Sequence, residues 1–339
     1  MDGATASDEL LLDPYPDHVQ AAIEARERFI RNLPLGDGFG LEFVVESLAR
    51  WAPGKTLRVA FLEGPPSLHE QIARAASEWS EYGNIGFDFG FDPETGRYRS
   101  WSLTDATYQA EIRISFFTGM DHRRGYWSNL GQDSIDPTIA GPGEPSMNFG
   151  GYLTGIPQGG LATVIHEFGH ALGFHHEHQH PVGGCELDFR WEDDPGYVPT
   201  RTPQGEYIPD ASGRRPGLYT RLGGPPNGWP KAKVDFNLRQ LRDTHAYTVG
   251  PFDAKSIMKY AFPSWMFREG EQSHCFSQRN LALSEQDKVG AATAYPDAPA
   301  AVAELTNQRR AVLESVAQAP VVSAETKQRA EIQLEGLEE

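Results

Sequence analysis

The stretch Val164-Ile-His166-Glu167-Phe-Gly-His170-Ala-Leu-Gly173-Phe-His-His176-Glu177 governs the reading of the whole chain. On a helix, His166 and His170 are four residues apart. They project from one face a turn apart, where two imidazoles can reach a single ion at about 2.0–2.1 Å. Glu167 is their angular neighbour. It is too close in sequence to displace either ligand comfortably, and well placed to hydrogen-bond a water held by that ion. Gly173 suits a helix that must stop and turn sharply, where φ becomes positive. The turn returns His176 as a third ligand. Three histidines leave one coordination position open, as in catalytic rather than structural zinc sites.

Histidines and glutamates also sit on helix surfaces without binding anything, and a bare His-Glu-x-x-His occurs by chance. Here five positions agree; at about one in twenty each over about 330 starting points, chance yields on the order of one match in ten thousand such chains. One Zn2+ ion held by His166, His170 and His176, with Glu167 as base, is therefore the expected site. His175, His178 and His180 are expected outside the ligand set, because three ligands complete the protein's share.

Outward from the motif, residues 17–31 read as an amphipathic helix, with Asp17 able to cap it and Val19 and Ile23 near one face, ending before Pro34. Trp51-Ala-Pro-Gly-Lys leads into a strand over Thr56–Leu62. Ser67-Leu-His-Glu70 has the form of a capping box, with Leu68, Ile72, Ala75, Ala76 and Trp79 at helical spacing behind it. Ile85–Phe91 and Ala110–Phe116 alternate as half-buried strands do. This order, followed by the motif helix, indicates an α+β fold with a sheet packed against helices. Residues 183–233, crowded with Gly, Pro and Asp, predict irregular structure. From about Asp297 helical character returns in two pieces broken at Pro320, expected as a docked appendage because the leucine spacing is too short for a coiled coil. The division is thus a helical extension over 1–50, a main domain over 51–298 with parts at 51–180 and 181–298, and a helical tail over 299–339.

With 339 residues and a formal charge of −17, and with no Lys- or Arg-rich run, the chain is expected to repel nucleic acid and anionic membrane surfaces. No stretch approaches the roughly 20 apolar residues that span a bilayer, so membrane insertion is not expected. Met1 to Pro16 is acidic where a secretory signal is basic and then apolar. That leaves two readings, a protein that stays inside or one whose leader is missing from this sequence. Oligomeric state is not legible.

The motif resembles HExxHxxGxxH, the signature of the metzincin metalloendopeptidases, which also carry a methionine turn. Ser256-Ile-Met258-Lys-Tyr260 looks like the SIMHY turn of the astacin family, with Lys259 in place of the usual His. Glu177 after the third histidine is also the astacin choice, although the usual continuation HEQxRPDRD is replaced by His176-Glu-His-Gln-His-Pro181-Val-Gly-Gly, closer to the microbial branch. The resemblance covers approximately Trp51 to Pro296, including Ser146-Met-Asn-Phe-Gly-Gly as an edge-strand segment and Leu283-Ser-Glu-Gln-Asp-Lys ahead of Tyr295-Pro. It implies a twisted mixed sheet with two long helices in the N-terminal part, an irregular C-terminal part, and an active-site cleft between them. It further implies that Met258 forms an apolar floor beneath the zinc and that Tyr260 reaches the metal or the transition state.

The implied activity is hydrolysis of internal peptide bonds in protein or peptide substrates, which could pair with the strand around Ser146–Tyr152 by β-augmentation. An ordinary buried strand is the other reading of that segment. The alternative function is a zinc-containing peptide- or protein-binding module that has lost catalysis; retention of Glu167 argues against it. Serralysin-like kinship lacks support, because no glycine-rich calcium repeats occur. The family also suggests an extracellular setting. Segment 1–50 could be a removable pro-segment, since Pro34-Leu-Gly-Asp37 is similar to an inhibitory FxGD motif but lacks its Phe; the other reading is an ordinary loop. Cys185 and Cys275, each soon after a segment expected near the metal, have two readings, a disulfide or two unpaired thiols.

Overall fold

Leu57, Val59 and Phe61 are buried while Thr56 and Arg58 are not, the alternation of a strand with one face on a core. They build β1 (Thr56–Phe61) in the computed structural model, which describes residues 15–17, 19–21, 23–24, 49–118, 125–241, 250–319 and 324–337. Then follow α1 (Pro66–Ala76), β2 (Gly86–Asp88), β3 (Ile112–Ser115), β4 (Tyr126–Ser128), β5 (Met147–Phe149) and α2 (Gly160–Ala171). Next come α3 (Cys185–Asp188), β6 (Thr200–Arg201), β7 (Tyr207–Ile208), α4 (Leu218–Gly223), α5 (Lys231–Leu238), α6 (Glu285–Ala294), α7 (Pro299–Gln318) and α8 (Ala324–Glu335).

Two compact units are distinguished: one takes the described residues of Asp13–His175 and Leu281–Glu339, the other those of His176–Arg242 and Pro251–Asn280. The first holds a mixed sheet in the order β2-β1-β3-β5-β4, parallel except for β4. The helices α1 and α2 pack against each other. Trp79, just past α1, donates its indole N–H to the Ile165 carbonyl of α2 at 2.8 Å, and Phe168 of α2 meets Phe87 of β2 edge-on at 5.0 Å. The motif helix is thus held on its apolar side by aromatic rings from both neighbours. In the same unit α7 packs against α8, with Val312, Leu313, Val316 and Ala330 buried.

Among the described residues of the second unit the longest helix is α5, and β6 and β7, two residues each, pair antiparallel. Its core is aromatic, with Phe189 stacked on Phe267 and edge-on to Trp191 and Phe262. Cys185 and Cys275 are bonded as a disulfide inside this core, their Cα atoms 5.5 Å apart.

Two local expectations are corrected. The cap of α1 is Pro65 and not a Ser67–Glu70 box, with no side-chain cap bond. Pro66 has no N–H to lose and a φ preset for the first helical position, so it starts the helix and leaves Ser67 inside the first turn. Met147–Phe149 is an inner strand, paired with β3 on one side and β4 on the other; with both neighbours in place it offers no edge, and β4 is terminal instead. The helix over 17–31 lies partly outside the described residues. Within them, Val19 and Ile23 are buried, and Gln20 N donates to Pro16 O. Pro34 to Asp37, and Pro320, lie outside them.

Candidate active site

Helix α2 begins after Gly159 at φ 73° and ends in a tight hydrogen-bonded turn. Gly173 N donates to His170 O at 2.8 Å and Phe174 N to Gly169 O at 3.0 Å, the paired bonds of a Schellman motif. The motif requires a left-handed residue after the helix, and Gly173 has φ +99°. Two remaining carbonyls at this end are capped by side chains: Trp51 Nε1 donates to Ala171 O at 2.7 Å, and the Tyr295 hydroxyl to Leu172 O. Neither cap is legible in the sequence, where the partners are 120 and 123 residues apart.

The helix exit also orients a ligand. His170 Nδ1 lies 2.7 Å from Phe174 O. A carbonyl only accepts, so Nδ1 carries the proton and Nε2 the lone pair. That Nε2 is 3.1 Å from Nε2 of His166. The spacing suits two nitrogens bound to one ion at about 2.0–2.1 Å in tetrahedral geometry. The ligand atoms of His166, His170 and His176 lie within 4.8 Å of one another and all three side chains are buried. The donor set therefore fits zinc. Glu167, on α2 between the two helical ligands, is fully buried.

Beyond His176 the chain is tied to the methionine turn. Glu177 N donates to Met258 O at 3.0 Å, and its carboxylate accepts from Asp253 N at 2.7 Å. Tyr260 lies over His176 with ring centroids 4.4 Å apart. Met258 is buried. His178 pairs through Nε2 with Asn237 O at 2.8 Å and packs on Tyr260 and Phe262. Sequence reasoning assigned it no role, because only the fold brings Asn237 to it.

Lys259 is the departure from the family turn, and it is buried. Its ammonium donates to Tyr260 O and to Ser277 Oγ, both at 3.1 Å. Burial pushes its pKa down to about 8, opposed by the charge of Glu177.

No family model and no curated protein matches the chain. Among solved structures, one of myroilysin is 29% identical, covering 74% of this chain and 97% of that one, with a TM-score of 0.53. A crystal structure of myroilysin gives 28% identity, 73% and 86% coverage, and 0.44. High choriolytic enzyme 1, a hatching enzyme zinc-protease from the medaka fish Oryzias latipes, gives 16%, 74% and 95%, and 0.38. The first of these carries the comparison, a likeness of fold over 74% of this chain. In its fold, its three-histidine group and its methionine turn, the chain is similar to the astacin-like metzincins of the microbial branch, which are metalloendopeptidases.

Proposed function

We propose that this chain hydrolyses internal peptide bonds of proteins with one zinc ion at His166, His170 and His176, and with Glu167 as general base. The observation that carries the reading is the convergence of three buried histidines, two of them on the helix that also bears Glu167. When bound, zinc supplies Lewis acidity and brings the pKa of a water it holds to about 7. Glu167 accepts the proton of the attacking water and returns it to the leaving amine. The Tyr260 hydroxyl donates to the developing oxyanion, a role supported by its family position and by its packing on His176. Met258 and Gly173 shape the floor and the helix exit; Glu177 secures the methionine turn through Asp253 and Met258. We assign catalysis to 51–298, with 1–50 as an extension.

An oxidising, extracellular compartment is proposed from the Cys185–Cys275 disulfide, since such bonds persist outside the reducing cytosol. The test of the function is casein cleavage by the purified chain, with Glu167→Gln and a zinc chelator as comparisons. Loss of at least about a hundredfold in Glu167→Gln with zinc retained, and loss on chelation, is the expected outcome. Zinc-loaded wild type that cleaves nothing, even after removal of residues 1–48, would point instead to a binding module.

A further inference from the structure

The helix exit at Gly173 is braced by a part of the chain that belongs to no motif. Arg50 O accepts from Gln132 Nε2 at 2.6 Å and from Nη1 of Arg309 on α7. The next residue, Trp51, is the one that caps α2 at Ala171 O. Gly131, before Gln132, lies so close that an added Cβ would sit 1.9 Å from Ala49 O and 3.6 Å from Gly173 Cα. A Cβ on Gly173 would in turn lie 3.9 Å from Arg50 Cα. The segments 49–51 and 131–132 therefore press on the turn from which the chain continues to His176.

Both segments are held by the C-terminal helices. Arg309 is buried, and its Nη2 approaches Gln333 Oε1 of α8 at 3.4 Å. Arg329 of α8 pairs with Asp133, itself fully buried, at 3.2 Å and with Asp136. A buried guanidinium costs desolvation that packing alone does not require, and at Arg309 burial lowers the pKa to about 10. A tail that merely covered apolar surface would do better with a hydrocarbon at this position.

We infer that the α7–α8 hairpin is a clamp on the zinc site, with Arg309 and Arg329 as positioning residues that hold the 49–51 and 131–136 segments against the exit of α2. This rests on the zinc reading above. Both act by fixing the turn that sets the His170 Nδ1 bond to Phe174 O.

The test uses the full chain and two readouts, zinc release into excess chromophoric chelator and kcat and KM measured separately. In Arg309→Met, zinc release about tenfold faster, with kcat reduced and KM unchanged, is expected, the size of loss typical of groups that orient metal ligands. Arg309→Lys, which keeps one donor for Arg50 O, should recover part of both. Arg58→Met, which breaks the unrelated pair with Glu111, controls for lost stability and should leave zinc release unchanged. Arg329→Met gives the same reading by a second route if Arg309→Met does not fold. Wild-type zinc release and kcat in a folded Arg309→Met or Arg329→Met chain, or equal loss in Arg58→Met, would overturn the clamp. A wild type that holds no zinc would instead refute the zinc reading, and the clamp with it.

Discussion

Two glycines flank the exit of α2, and they should respond differently to a methyl group. Gly173→Ala meets only an ordinary contact, Arg50 Cα at 3.9 Å, but keeps φ +99°, so it should cost about 1–2 kcal/mol in strain alone. Gly131→Ala adds a carbon within 1.9 Å of a backbone oxygen, which cannot be relieved by a rotamer change. Urea unfolding should therefore rank Gly131→Ala well below Gly173→Ala; the reverse order would contradict the packing described. His69 sets a pH dependence. It stacks on Phe61 at 3.8 Å, its Nε2 lies 3.0 Å from Glu63 O, and burial lowers its pKa below the ordinary 6.5. As pH falls through 6.5 the unfolded chain takes up a proton that the folded chain still refuses, so stability is lost on the acid side. His69→Phe should flatten that limb as pH falls through 6.5, and an unchanged acid limb would refute the assignment. At this scale the approach of His166 to His170 was legible because i, i+4 spacing is local geometry. Lys259 was visible as an oddity but its burial was not, since Ser277 and Phe262 reach it only through the fold.

The disulfide spans 90 residues of sequence between α3 and the segment after the methionine turn. In the chain-entropy model closing such a loop contributes about 4–5 kcal/mol. Replacing both cysteines with serine, or adding a reductant, should lower unfolding stability by that order, read from urea midpoints. A shift below about 1 kcal/mol would mean that the aromatic core around Phe189 and Phe267 holds the loop unaided. The elements themselves were unevenly legible. Strand β1 and helix α1 carry clear periodicity, whereas the inner position of Met147–Phe149 depends on strand order, which periodicity does not encode. The capping box misled because Pro66 outranks Ser67 as a helix starter. Pairing of the two cysteines was left open because nothing local brings the ends of a long loop together.

Across the molecule, the tail over 299–339 read from sequence as docked helices, and α7 and α8 are that hairpin; its purchase on Arg50, Asp133 and Asp136 was hidden. Those contacts join the C-terminus to residues far upstream, and only their burial marks them as more than surface pairs. The charge of −17 belongs to this scale too. Association with a lysine-rich peptide substrate should be faster than with a glutamate-rich one of equal length, and the difference should shrink as salt rises. A ratio of kcat/KM that ignores ionic strength would show that recognition is local. The most direct single measurement is X-ray absorption at the zinc edge of the purified full chain. Three nitrogen donors at about 2.0–2.1 Å with one oxygen ligand, and loss of one nitrogen in His176→Ala, are expected. Sulfur at about 2.3 Å, or a nitrogen shell that His176→Ala leaves unchanged, would contradict the three-histidine centre.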